Sequence, residues 1–121
     1  MAVLLVEDEA TAFRLILSKE EDVRLSAVTD FEIRLLAFGR GGQRFVDGYE
    51  MLFDIGKFSI AAFAQDEAKL AFDAYRRFGK GNHPARLNFA DCAAYALAKS
   101  LDAPLLFKGN DFARTDIRRA L

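Results

Sequence analysis

With 121 residues, 52% hydrophobic and 29% charged, the chain is long enough to bury one core and too apolar to stay disordered. A net charge of −1 excludes an overall electrostatic drive toward nucleic acid, so any such contact must come from a local basic patch. One cysteine excludes an internal disulfide, and no apolar run reaches the roughly 20 residues of a membrane span. Met1 to Val6 is apolar but lacks a basic flank and runs into acids, so it does not read as a signal peptide. A soluble, cytoplasmic, single domain over 1–121 is expected. Twelve Phe and no Trp point to a greasy interior rather than an aromatic binding platform.

In chain order, the apolar Ala2 to Val6 is followed by the acids Glu7, Asp8 and Glu9. Ala10 to Leu17 has helical spacing through Phe13, Ile16 and Leu17. Val23 to Val28 alternates like a strand. Thr29 or Asp30 can cap the next helix, in which Ile33, Leu36 and Ala37 share a face with Phe31 partly alongside. Gly39, Gly41 and Gly42 interrupt or kink that helix. Phe45 to Ile55 resumes helical spacing through Phe45, Tyr49, Leu52 and Phe53. Phe58 to Phe63 is strand-like, and Asp66 to Phe78 is a helix carrying Leu70, Phe72 and Tyr75. A loop holding Pro84 leads to an alanine-rich helix, Ala90 to Leu101, and then a buried strand, Leu105 to Phe107. Strands separated by helices predict an α/β fold, a parallel sheet with helices on both faces.

Ligands of open parallel sheets sit beyond the carboxyl ends of the strands. Three acids fall there: Glu32 in the helix after the Val23 strand, Asp91 opening the alanine-rich helix, and Asp111 after the Leu105 strand, with Asp116 a few residues on. Carboxylates plus waters suit magnesium or manganese, and such an ion can acidify a water and offset charge on a phosphate. Each acid has a plainer reading. Asp91 lies three residues after Asn88, the capping-box spacing; Glu32 can be an ordinary early-helix acid; Asp111, in Gly-Asn-Asp, can be a turn former. His83 before Pro84 reads as a loop-ordering residue, and Cys92 as a small core residue. Arg76, Arg77, Lys80 and Arg86 form a basic cluster that either meets phosphates or is a solvated face.

The segment FGKGNHPARLNFADCAAYALAKSLDAPLLFKGNDFARTDI, residues 78–117, resembles the C-terminal half of the VapC-type PIN-domain toxins. The shared elements are the Gly-Lys-Gly turn, His-Pro-Ala, Leu-Asn-Phe before an acid-Cys pair, the alanine-rich helix, and Leu-Leu-Phe-Lys-Gly ahead of Asp-Phe and Thr-Asp-Ile. Upstream, Leu25-Ser26-Ala27 and Glu32 resemble the family's second strand and second acid. The resemblance is strong over 78–117 and weak over 40–75. It implies a PIN-like α/β/α sandwich and a metal-dependent endoribonuclease using Mg2+, with Mn2+ as the alternative. Glu32, Asp91 and Asp111 would be the catalytic, metal-binding acids and Asp116 an auxiliary one. Ser26, Thr29, Arg76, Lys80 and Arg86 would meet the RNA substrate. The partners implied are a VapB-type antitoxin and a second copy in a homodimer.

One departure stands against this pattern. The family opens on a strand ending in an acid, commonly Asp-x-Ser, whose aspartate is its first metal ligand. Ala2 to Phe13 resembles instead the helix and Glu-Pro-Glu-Ala turn that follow that strand, and Asp8 matches the later turn. The resemblance thus implies an N-terminally truncated domain apparently lacking the family's first strand. Such a chain would need a partner, an exchanged segment or a shifted pairing to fill its sheet, and the alternative function is a catalytically impaired PIN-like binding module.

Overall fold

The computed structural model of the chain describes residues 2–4, 14, 16, 22–55, 58–79, 81, 87–106 and 116. Its sheet has four parallel strands: β1 (Ala2–Leu4), β2 (Val23–Ser26), β3 (Phe58–Ala61) and β4 (Leu105–Leu106), in the order β3-β2-β1-β4. Four helices complete the described elements: α1 (Ala27–Gly41), α2 (Gln43–Ile55), α3 (Gln65–Phe78) and α4 (Phe89–Leu101).

Strand β1 lies in the interior of the sheet, between β2 and β4. Ala2 and Val3 pair with Val23 and Arg24 on one side, and Val3 and Leu4 with Leu105 and Leu106 on the other. The resemblance implied entry into a helix at this point; the chain runs as a strand instead. An interior strand of a parallel sheet is buried on both faces, and a short continuous apolar run suits that position. The strand also supplies partners for backbone groups of β2 and β4 that would otherwise lie unpaired. Residues Ala2–Leu4 thus occupy the position between β2 and β4 themselves.

Alternation along the strands divides the core in two. Leu4, Val23, Leu25 and Phe58 point to one face, where they pack with Ile16, Ile33, Tyr49 and Leu52. Val3 and Leu105 point to the other, against Ala74, Phe78, Leu87 and Tyr95 of the α3 and α4 side. The expected α/β/α layering is therefore present. Ring contacts tighten the first cluster: Tyr49 stacks on Phe58 at 5.6 Å, and Phe53 meets Phe58 at 4.3 Å.

Helix α1 starts earlier than Thr29 or Asp30. Ser26 leaves β2 with extended backbone, and its Oγ accepts a hydrogen bond from the Val28 N–H at 3.1 Å. A serine at the strand end caps at once. The helix runs through Gly39 and Gly41 and stops at Gly42, whose φ of +69° is left-handed and whose N–H donates to the Phe38 carbonyl. Helices α1 and α2 are latched by polar groups. The Tyr49 hydroxyl donates to Asp30 at 2.8 Å, and Arg34 reaches both Asp30 and Glu50.

Small residues decide the other face. In α4, Cys92 through Ala98 are all buried, so the helix is apolar on every side and packs closely. In α3 the inward residues are Ala71, Ala74 and Phe78, whereas Leu70, Phe72 and Tyr75 are exposed. The phenylalanines do not all make a greasy interior either. Phe31, expected partly alongside the buried face of α1, is 62% exposed, and Phe38, Phe72 and Phe89 are also at the surface. Among the described residues no helix is long and apolar enough to cross a membrane.

Candidate active site

Two carboxylates come together where α1 and α4 meet. Glu32 lies in the second turn of α1, which leaves the carboxyl end of β2, and Asp91 lies in the first turn of α4. Burial pushes the Glu32 carboxyl up to about 7, and the negative charge of Asp91 pushes it the same way. Two like charges in a half-buried setting repel, and Glu32 bears the effect.

Asp91 is held by its own helix end. The Asn88 side chain accepts from the Asp91 N–H at 2.9 Å, and one Asp91 oxygen accepts from the Asn88 N–H at 3.0 Å. This is the reciprocal capping box that the spacing allowed. Asp91 therefore fills the plain role, and its charge reaches Glu32 as well. A cap that fixes the acid's rotamer also fixes where that charge stands.

Ser26 caps α1 and Thr29 lies in its first turn, and both are buried. The Ser26 oxygen is occupied as the α1 cap. Among the described residues the Thr29 hydroxyl has no hydrogen-bond partner, although Thr29 is only 1% exposed. Cys92, next along α4, is a core residue as expected, its thiol pushed up to about 11 by burial and by Asp91.

Asp116 is not brought to this pair. It accepts a hydrogen bond from the Tyr95 hydroxyl, pairs with Lys99 at 2.7 Å and lies 3.6 Å from Arg77. Tyr95 and Lys99 stand one and two turns further along α4 than Asp91. Burial alone would raise the Asp116 carboxyl, but its bonds to Lys99 and Tyr95 and the charges of Lys99 and Arg77 hold it below the usual range. Among the described residues no three His, Cys, Asp or Glu side chains gather as a metal group. The third expected acid, Asp111, lies outside the described residues, as do His83, Lys80 and Arg86. Of the basic cluster, Arg76 pairs with Asp73 at 2.6 Å, and Arg77 is shared between Asp73 and Asp116.

The PIN domain family model matches residues 1–118. The chain belongs to the PIN-domain family. This PIN domain is 38% identical to Ribonuclease VapC28 of Mycobacterium tuberculosis over 122 residues, covering 100% of this chain and 92% of the relative. It is 36% identical to Ribonuclease VapC42 of the same organism over 121 residues, covering 99% and 92%. Its fold matches the crystal structure of Mycobacterium tuberculosis VapC20, described as a sarcin-ricin loop cleaving toxin. That match has a TM-score of 0.73 at 16% identity and covers 97% of this chain and 96% of the other. A toxin-antitoxin complex from Klebsiella pneumoniae matches with a TM-score of 0.65 at 16% identity, covering 96% and 93%.

A divalent cation is the cofactor class that PIN-domain nucleases imply, and the donors present suit it. Glu32 and Asp91 offer hard oxygens, and magnesium commonly takes one or two carboxylates with waters filling the remaining positions. The mutual repulsion of the pair is the electrostatic setting that a cation relieves. When bound, such an ion supplies Lewis acidity toward a phosphodiester and acidifies a water. Sequence reasoning overlooked an apolar cavity of about 320 Å³ between α3 and the start of α4, lined by Phe63, Phe72, Tyr75, Phe89 and Cys92 among others. The signal was available in α3, where Ala68 and Ala71 leave room between Phe72 and Tyr75.

Proposed function

We propose that this PIN domain is an endoribonuclease toxin of the VapC type, hydrolysing RNA phosphodiesters with Mg2+, or with Mn2+ in its place. Glu32, Asp91 and Asp111 are the catalytic acids that hold the ion in this reading. The observation that carries it is the coupling of Glu32 to Asp91 at the edge of the sheet, in a chain whose relatives are named ribonucleases.

The chain's own residues do three things here. Asn88 holds Asp91 in one orientation through the capping box. Partial burial weakens the screening of Glu32 by water, so its carboxylate responds to nearby charge. Ser26 ties the start of α1 to the end of β2, which fixes where Glu32 stands. Asp116 is an auxiliary acid, acting through the packing of α3 on α4 by way of Tyr95, Lys99 and Arg77. With a net charge of −1, RNA affinity rests on local cations, for which Arg76, Lys80 and Arg86 are the candidates, and single-stranded or loop RNA is the favoured target.

A VapB-type antitoxin is the proposed partner, supported by the toxin-antitoxin complex among the fold matches and by the large exposed apolar side chains Phe31, Leu35 and Phe38 on one stripe of α1. The Phe72 and Phe89 surface suits a second copy, giving a homodimer, and the cytoplasm is the proposed compartment. Purified chain should degrade RNA when magnesium is added and stop when the ion is chelated. A folded chain inert under both conditions would leave the impaired binding module as the better reading.

A further inference from the structure

The hydroxyl of Thr29 is one of two buried polar side-chain atoms among the described residues with no hydrogen-bond partner. The other, Arg24 Nε, lies on β2 two residues before Ser26, further from the carboxyl edge. Thr29 is 1% exposed, so bulk water does not satisfy it. Threonines in helices commonly bond back to a carbonyl in the preceding turn, and this one does not. It stands three residues before Glu32 on α1, the spacing that places two side chains on neighbouring parts of one helix face. Valine would fill the same space without a stranded hydroxyl, so the metal-free fold gains nothing from the oxygen. Local rules broken without compensation in the fold mark functional positions.

We propose that the Thr29 hydroxyl is a positioning group that holds a water molecule in the shell of the cation bound at the Glu32 and Asp91 carboxylates. The assignment rests on the metal reading given above. It makes Thr29 act through a water rather than on substrate, and it explains why a polar atom is kept one turn before Glu32 without a partner among the described residues. The hydroxyl both donates and accepts, so it can orient a water that carboxylates, which only accept, leave free to rotate.

The test is Mn2+ binding, followed by the loss of the free-ion electron paramagnetic resonance signal, together with thermal unfolding of the metal-free proteins. Thr29→Val, Thr29→Ser and Glu32→Gln are compared with wild type. Thr29→Val should bind Mn2+ about tenfold more weakly, the lower end of the loss seen when outer partners of a metal site are removed. Thr29→Ser should restore binding, since it keeps the hydroxyl. Without metal, Thr29→Val should melt a few degrees above wild type, because a stranded hydroxyl has gone. Wild-type affinity in Thr29→Val, with binding lost in Glu32→Gln, would overturn the assignment and leave the metal site standing. A lower metal-free melting point for Thr29→Val would also overturn it, by showing that the hydroxyl serves the fold. No Mn2+ binding by wild type would remove the metal reading and this assignment with it.

Discussion

Glu32 is where burial and a neighbouring charge act in the same direction. The folded chain holds the Glu32 proton more tightly than the unfolded chain does, because both burial and Asp91 raise it to about 7. Removing that proton as pH climbs from the ordinary carboxylate range through about 7 therefore costs folded-state stability. Without metal, the melting temperature should fall between about pH 5 and about pH 8, and Glu32→Gln should flatten that fall. Added Mg2+ should restore stability at the upper end if it binds the ionised pair as proposed. Unchanged pH dependence in Glu32→Gln would remove Glu32 as the source. At this scale the sequence revealed Glu32 and Asp91 through their places after a strand and at a helix start. It did not reveal that Thr29 lacks a partner among the described residues, because satisfaction of a hydroxyl depends on what packs over it. Nor did it separate Asp116 from the pair, since the cations Arg77 and Lys99 that claim it are remote in sequence.

The elements are positioned by their ends. Asn88 and Asp91 close the start of α4 on each other, so the cap and the proposed site share a residue. Asn88→Ala should destabilise the fold by about 1 kcal/mol in denaturant unfolding, and Asn88→Ser should recover most of it. A neutral Asn88→Ala would mean that the box contributes nothing to α4. Helix and strand identities were legible from periodicity, and Gly42 was visible as a break. Boundaries were less so: β2 ends at Ser26 rather than Val28 because the serine caps α1 immediately. The inward face of α3 was also hidden. Close packing on α4 selects the small Ala71 and Ala74, and the large Leu70, Phe72 and Tyr75 stay exposed.

At the scale of the molecule, an interior strand of three residues joins the two halves of the sheet. Leu4 is fully buried with Ile16, Val23 and Leu25, so Leu4→Ala should cost about 2–5 kcal/mol, read as a lower denaturation midpoint. A loss of under about 1 kcal/mol would argue against β1 in the interior. The parallel α/β/α architecture followed from alternating strands and helices. The role of Ala2–Leu4 did not, since a short apolar run fits a helix or a buried strand equally and only the space between β2 and β4 decides. Family membership gives the whole a function class, and the Glu32–Asp91 pair is its proposed chemical centre. RNA cleavage in Mg2+ by the purified chain, set against Asp91→Asn, tests that centre most directly. Cleavage should be lost on chelation and fall by at least about 100-fold in the variant, more than outer partners of metal sites cause, with thermal unfolding little changed. Metal-independent cleavage, or full activity in folded Asp91→Asn, would contradict it.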